Sequence, residues 1–312
     1  MKKLTGTARA AFHLRGLLDT VAPRGLYRAE RELARLTPGE LARAEERAEY
    51  YCRQPLGEPG ETRNADFGFP REAPRHTAYF FPLRRLLNYF PAEATFNALF
   101  GDVNWEPERP TLVKSRPVGS TAGTLLPLDA VRHFRWVDED PTPWEAKRPA
   151  LVSRNEVHRE PRLTFMERCF GLPGTDLGQV NPSGGRPELW LRERMTVAEQ
   201  LDFRFIACIE GNDVATNLKW VMSSNSLPVM ARPRMESWFM EGTLRAGEHY
   251  VALADDYSDL AERMEYYLSH PAEAREIIAN NHERCRLFRN PRVEHAAALL
   301  TLRRYLGAEF CV

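Results

Sequence analysis

Apolar residues recur at helical spacing in the first 28 positions, where Leu4, Ala8, Ala11, Phe12 and Leu18 alternate with Lys2, Lys3, Arg9, Arg15, Arg24 and Arg28 against a single acid, Asp19. The pattern predicts a basic amphipathic helix that docks on its own domain, anchors on an anionic membrane face, or does both. A second helix is predicted to begin at Thr37 or Pro38, where a capping residue, a proline and an acid precede good helix formers up to position 50. Gly, Pro and charge from Gln54 to Pro74 predict a loop. Short apolar runs follow. TAYFF at 77–81, TLVKS at 111–115 and ALVSR at 150–154 read as strands, and AEATFNALF at 92–100 reads as a helical piece. Residues 138–149, DEDPTPWEAKRP, have the prolines and charge of an interdomain linker. Beyond it, strands at 150–154, 204–209, 227–231 and 249–253 alternate with helical segments at 161–170, 214–224 and 258–270. That alternation predicts an α/β fold with a parallel sheet. The expected division is 1–140 and 141–312, with the last helix packing back on the first part.

Composition narrows the classes. The 312 residues carry 43 Lys+Arg against 43 Asp+Glu, so no surface-wide nucleic-acid binding is expected. No apolar run approaches the length of a membrane span. The opening Met-Lys-Lys suggests a signal peptide, but His13 and Arg15 interrupt its apolar core, and a cytoplasmic protein is expected. Five cysteines without metal spacing fit reduced thiols, and the histidines, His133, His158 and His249 among them, lack ligand spacing. Asp138 to Asp140 has the Asp-x-Asp shape of a divalent-metal site, yet an acidic run among prolines reads first as a solvated loop. Asp255, Asp256 and Asp259 read as turn and capping residues before a helix.

The window 204–242, RFIACIEGNDVATNLKWVMSSNSLPVMARPRMESWFMEG, carries the strongest chemical signal. An apolar strand ends in Glu210-Gly211 and leads through a polar loop into a helix predicted to start near Thr216. Open α/β sheets bind ligands at the carboxyl ends of their strands. The first-turn amides, with Thr216, Asn217 and Lys219, suit an anion without a metal. The segment is neither a dinucleotide fingerprint nor a P-loop. Glu210 is placed to accept sugar hydroxyls or to cap the helix.

On this window, together with GDVNWEPERPTLVKSRPV, LLPLDAVRHF, DLGQVN and HYVALADDYSDL, the chain resembles glycosyltransferase family 90, and among its members the bacterial lipopolysaccharide glycosyltransferases. The resemblance implies the GT-B architecture, two Rossmann-like domains with the donor in the cleft between them. It also implies inverting transfer from a nucleotide-activated sugar without a metal cofactor. Asp102, in GDVNWEP, falls where the family places its catalytic base; read without the family it is a turn or helix-capping aspartate after Gly101. Arg154 matches an arginine that the family follows with Gly, where Asn155 stands here. Arg162 matches a second arginine expected at the diphosphate, and Asn217 replaces an arginine of the eukaryotic members, leaving Lys219 or Arg234 to compensate. Lys114, Ser115 and Arg116 are expected to face the cleft.

The expected protein is therefore an inverting hexosyltransferase using a UDP-sugar, peripheral to the inner membrane, with a lipopolysaccharide core or related surface glycan as acceptor. A non-catalytic, membrane-peripheral binding protein that keeps the fold is the alternative, motivated by Asn155 and Asn217.

Overall fold

The computed structural model describes residues 6–69, 76–129 and 136–311. Lys2, Lys3 and Leu4 of the basic segment, and His133, lie outside them. The chain divides into two compact units interleaved in sequence, one built from 6–129, Met235–Phe239 and 288–311, the other from 136–234 and Met240–Leu287.

The first unit opens with helix α1 (Gly6–Val21), followed by α2 (Ala29–Leu33) and α3 (Pro38–Tyr51). Helix α3 starts as the sequence predicts, because Thr37 accepts from the Glu40 amide while the Glu40 carboxylate accepts from the Thr37 amide. After strand β1 (Thr62–Arg63) comes α4 (Thr77–Leu87), where TAYFF was expected to be a strand. A five-residue apolar run does not distinguish the two states. The helix wins because Leu83, Leu86 and Leu87 extend the buried stripe of Tyr79 and Phe80 at helical spacing, with Pro82 accommodated inside it. Helix α1 lies on α4, and the approach is close enough that a Cβ on Gly16 would stand 2.1 Å from the Phe81 ring.

Residues 92–100 are not helical. They form β2 (Thr95–Phe96), antiparallel to β1, and Phe96 is buried beneath Phe67. Strands β3 (Thr111–Val113), β4 (Ser115–Pro117) and β5 (Gly123–Leu125) follow, β3 pairing in parallel with β5.

The second unit holds the predicted parallel sheet. Its elements run β6 (Arg148–Asn155), α5 (Arg162–Cys169), β7 (Thr175–Gln179), α6 (Val197–Gln200), β8 (Phe203–Ala207), α7 (Leu218–Met222) and β9 (Leu227–Ala231). The chain then gives β10 (Met235–Ser237) to the first unit, antiparallel to β4, and returns as β11 (Val251–Leu253), α8 (Leu260–Ser269) and α9 (Pro271–Phe288). A last helix, α10 (Pro291–Leu306), packs on α3 in the first unit, where Arg47 pairs with the buried Glu294.

All pairings in the five-stranded sheet are parallel, and its order is β11-β9-β8-β6-β7. In chain order this is 2-1-3-4-5, so the connection reverses direction between β6 and β8. The strands read as near-continuous apolar runs because both faces are covered, with Phe165, Met166, Leu260, Met264 and Ile277 contributing to one core with Leu151, Phe205 and Val229. The first unit's described residues carry three two-stranded pairings and no wider sheet.

Candidate active site

Right-handed crossovers leave a crevice at the carboxyl edge of a parallel sheet where the connections diverge. Here that edge is lined by Cys208, Ile209 and Glu210 after β8, Ala231 at the end of β9 with Arg232 and Arg234 after it, Asp255 and Tyr257 after β11, and Pro161 before α5. Three adjacent strands thus deliver their first post-strand residues to one place. Arg232 and Arg234 are exposed cations on its rim.

Glu210 is largely buried, its Oε1 accepting from the Arg234 amide at 3.0 Å and its Oε2 lying 3.7 Å from the Arg234 Nε. The carboxylate therefore holds the 231–234 turn in place and faces the crevice as an acceptor. Tyr257 sits at φ +60° with its ring edge-on to Phe165 at 5.2 Å. Burial pushes its hydroxyl well above the ordinary tyrosine range, Arg234 opposing and Glu210 and Asp255 adding to the shift, so the phenol stays protonated. Burial likewise pushes the Cys208 thiol up, which removes it as a nucleophile.

Arg162 occupies the switch point itself. Its Nε donates to the Ile209 carbonyl at 3.2 Å and its Nη1 to the Glu156 carbonyl at 3.1 Å, so one guanidinium spans the ends of β8 and β6. Gly211 makes room for it: a Cβ there would lie 3.1 Å from the Arg162 Cζ.

Arg154, expected beside it, turns elsewhere. Its guanidinium donates to the Asp176 carboxylate and carbonyl and to the Glu193 carbonyl, fastening β6 to β7. Asn155 bonds Ser153 Oγ at 2.7 Å. The expected helix at 214–224 is the single turn α7, beginning at Leu218, so its amides offer little of the dipole argued from the sequence. Asn217 precedes it and donates to the Ala207 carbonyl at 2.9 Å, closing the loop onto β8, while Thr216 is half-buried. Lys219 is the clearest correction. Its side chain is 1% exposed and its Nζ lies 2.9 Å from Glu241 Oε1, a buried ion pair rather than a crevice lining. The alternation of apolar residues around it hid this, since the five residues of α7 are buried on every side.

In the other unit, Asp102 is partly exposed and pairs with Lys114, which is itself buried and lies 5.8 Å from the Tyr79 ring centroid. Arg116 does not face solvent at all. It is fully buried, its Nε 2.8 Å from Glu236 and its other nitrogens donating to the carbonyls of Tyr50, Tyr51 and Gly123. It ties β4 to β10 and to the end of α3. Ser115 is buried in β4. Among the described residues no three of His, Cys, Asp or Glu gather as metal ligands, and Asp140 is held by Lys147 and the Asn225 amide.

Sequence reasoning missed Arg232, Asp255 and Tyr257. The rule that singled out Glu210, attention to the first residues after an apolar strand, applies equally after β9 and β11. Asp255 reads from the sequence as a turn or capping residue; the turn bonds before α8 are made by Asp256, which accepts from the Ser258 amide, and Asp259, which accepts from the Ala254 amide.

Residues 190–287, which supply most of this crevice, match glycosyl transferase family 90. The chain is also 43% identical over 285 residues to the O-glucosyltransferase LpsA of Dichelobacter nodosus, covering 89% of this chain and 88% of that protein. This chain belongs to glycosyltransferase family 90. It is a glycosyltransferase, which sets aside the alternative of a binding protein without turnover.

Proposed function

We propose that the protein is an inverting, metal-independent GT-B enzyme that moves a hexose from a UDP-sugar to a lipopolysaccharide core or related surface glycan. The observation that carries the donor reading is the convergence of Arg162, Arg232 and Arg234 with Glu210, Asp255 and Tyr257 at the carboxyl edge of the parallel sheet. Arginine guanidinium groups meet a diphosphate with charge-assisted, bidentate hydrogen bonds and supply the charge that a metal otherwise would. The carboxylates accept ribose or sugar hydroxyls. The relative is named an O-glucosyltransferase, which favours glucose as the hexose and a hydroxyl as the acceptor. Asp102 then takes the proton from that hydroxyl as its oxygen attacks the anomeric carbon and UDP departs, a single displacement that inverts the anomer.

A thermal-shift comparison of UDP, GDP, ADP and CMP, each with and without EDTA, tests the donor assignment, since a ligand that binds only the folded state raises its melting temperature. UDP is expected to stabilise with EDTA present. No shift with UDP, or one that requires a divalent ion, contradicts the reading. Arg162→Ala is expected to raise the donor KM at least tenfold, about 1.4 kcal/mol. An unchanged donor KM removes Arg162 from the site.

The proposed place of work is the cytoplasmic face of the inner membrane. No helix among the described residues is long and apolar enough to cross a bilayer, but α1 suits its surface. Its docked side carries Phe12, His13 and Gly16 against Phe81. The opposite side exposes Leu14, Leu17, Leu18 and Val21 at 62%, 50%, 58% and 78%, spaced i, i+3, i+4 and i+7. Leu26 beyond the helix is also exposed, and the segment carries Arg9, Arg15, Arg24 and Arg28 against Asp19. An apolar face on an arginine-rich segment matches an anionic interface. Replacing Leu14, Leu17 and Leu18 with Ser is expected to release the protein from anionic vesicles in a sedimentation assay while it stays on its domain through Phe12. Undiminished sedimentation, or loss of a dimer instead, overturns the membrane assignment.

A further inference from the structure

The loop that carries Asp102 presents a second group that neither the family assignment nor the named relative explains. Trp105 is 52% exposed, the most exposed aromatic side chain among the described residues. It stands on backbone fixed at both ends. Val103 is buried on one side of it and Pro107 on the other. Glu106 Oε1 accepts from the Ala122 amide at 2.7 Å and from the Thr121 amide at 3.0 Å, and Asp102 is tied to the buried Lys114. Burial would raise the Glu106 carboxyl, but the bonds from Ser120, Ala122 and Thr121 hold it below the usual glutamate range, so the tether persists through neutral pH. Of the segment between the anchors, the Asn104 and Trp105 side chains are left for solvent.

An exposed indole on a pinned loop offers a preformed flat apolar surface with a polar edge. A pyranose has one face of C–H groups and a rim of hydroxyls, and it stacks on an aromatic ring while its hydroxyls reach polar neighbours. Trp105 lies three positions after Asp102, at most about 11 Å between their Cα atoms, so one acceptor chain can meet both. We propose that Trp105 is the platform on which an acceptor sugar ring stacks, presenting its hydroxyl, or that of the neighbouring sugar, to Asp102. The proposal rests on the reading of Asp102 as the base, and it assigns the acceptor as a glycan with an exposed pyranose face rather than a free lipid or a peptide. Because the loop is pinned before the acceptor arrives, stacking incurs little ordering cost.

The test uses the full chain with UDP-glucose and deacylated lipopolysaccharide core oligosaccharide. Trp105→Ala is expected to raise the KM for the oligosaccharide by about tenfold or more, with kcat and the UDP-glucose KM changed by no more than about twofold, a split that marks lost acceptor binding. Trp105→Phe, which keeps an aromatic face, is expected to recover most of that KM. Saturation-transfer NMR should show strong transfer to one pyranose ring of the oligosaccharide in the wild type and in Asp102→Asn, and a clear loss of transfer to that ring in Trp105→Ala. An unchanged oligosaccharide KM in Trp105→Ala, or a fall in kcat alone, overturns the platform. Wild-type turnover by Asp102→Asn defeats the base instead, and the NMR comparison then decides Trp105 by itself: undiminished transfer to that ring in Trp105→Ala overturns the proposal, and its loss upholds it.

Discussion

Replacing Asp102 with asparagine is expected to lower kcat for sugar transfer by about a thousandfold, within the range that a positioned general base contributes. UDP binding should be unaffected, because the nucleotide is assigned to residues after β8, β9 and β11 and Asp102 belongs to neither those strands nor their loops. The substitution keeps an oxygen to accept from Lys114 and removes the charge and the basicity. A merely structural role for Asp102, as the partner of a buried lysine, makes a different forecast: a lower melting temperature with turnover reduced only in proportion to the folded fraction. Measuring kcat and melting temperature on the same sample separates the two.

The second large effect is on stability. Arg116→Ala is expected to destabilise the protein by about 3–5 kcal/mol, because it strands the fully buried Glu236 carboxylate without its cation. Three carbonyls, from Tyr50, Tyr51 and Gly123, lose their donor as well. The melting temperature should fall by roughly 10 °C, on the scale expected for a unit of this size. Arg53 Nη2, 3.3 Å from Glu236, softens the loss but also reaches solvent. Replacing both partners with apolar residues, Arg116→Met with Glu236→Leu, should cost less than either single change. If Arg116→Ala melts like the wild type and loses donor or acceptor affinity, the residue is a ligand contact after all.

Arg116 and Lys219 show where sequence reading fails. Arg116 reads as a site cation because it follows an apolar strand, and Lys219 because it falls in the first turn of a helix predicted to start near Thr216. Each is instead buried against a glutamate remote in sequence, Glu236 for Arg116 and Glu241 for Lys219. Nothing local to either residue announces such a partner, since it arrives with a strand or turn folded in from elsewhere. Strands β6, β8 and β9 were legible because buried parallel strands are short runs of Leu, Val, Ile and Phe with clear polar ends. Strand β7, Thr175–Gln179, was not, for its sequence TDLGQ has one buried aliphatic residue, Leu177. Gly178 is there for packing: a Cβ on it would stand 2.5 Å from Arg192 and 3.1 Å from Arg154. The strand-end rule and the family resemblance single out Glu210 and Arg162, and both lie at the carboxyl edge of the sheet. The companions Arg232 and Tyr257 are not singled out, because their relation to Glu210 is set by the order of strands in the sheet, which the linear pattern leaves open.

The most direct test of the central claim is to follow UDP-α-glucose and core oligosaccharide with the purified protein in EDTA by proton NMR, reading the anomeric signal of the product. The account predicts UDP release and a β-linked glucose with large trans-diaxial coupling, absent with Asp102→Asn. An α-linked product, or transfer that stops in EDTA and returns with a divalent ion, would contradict it.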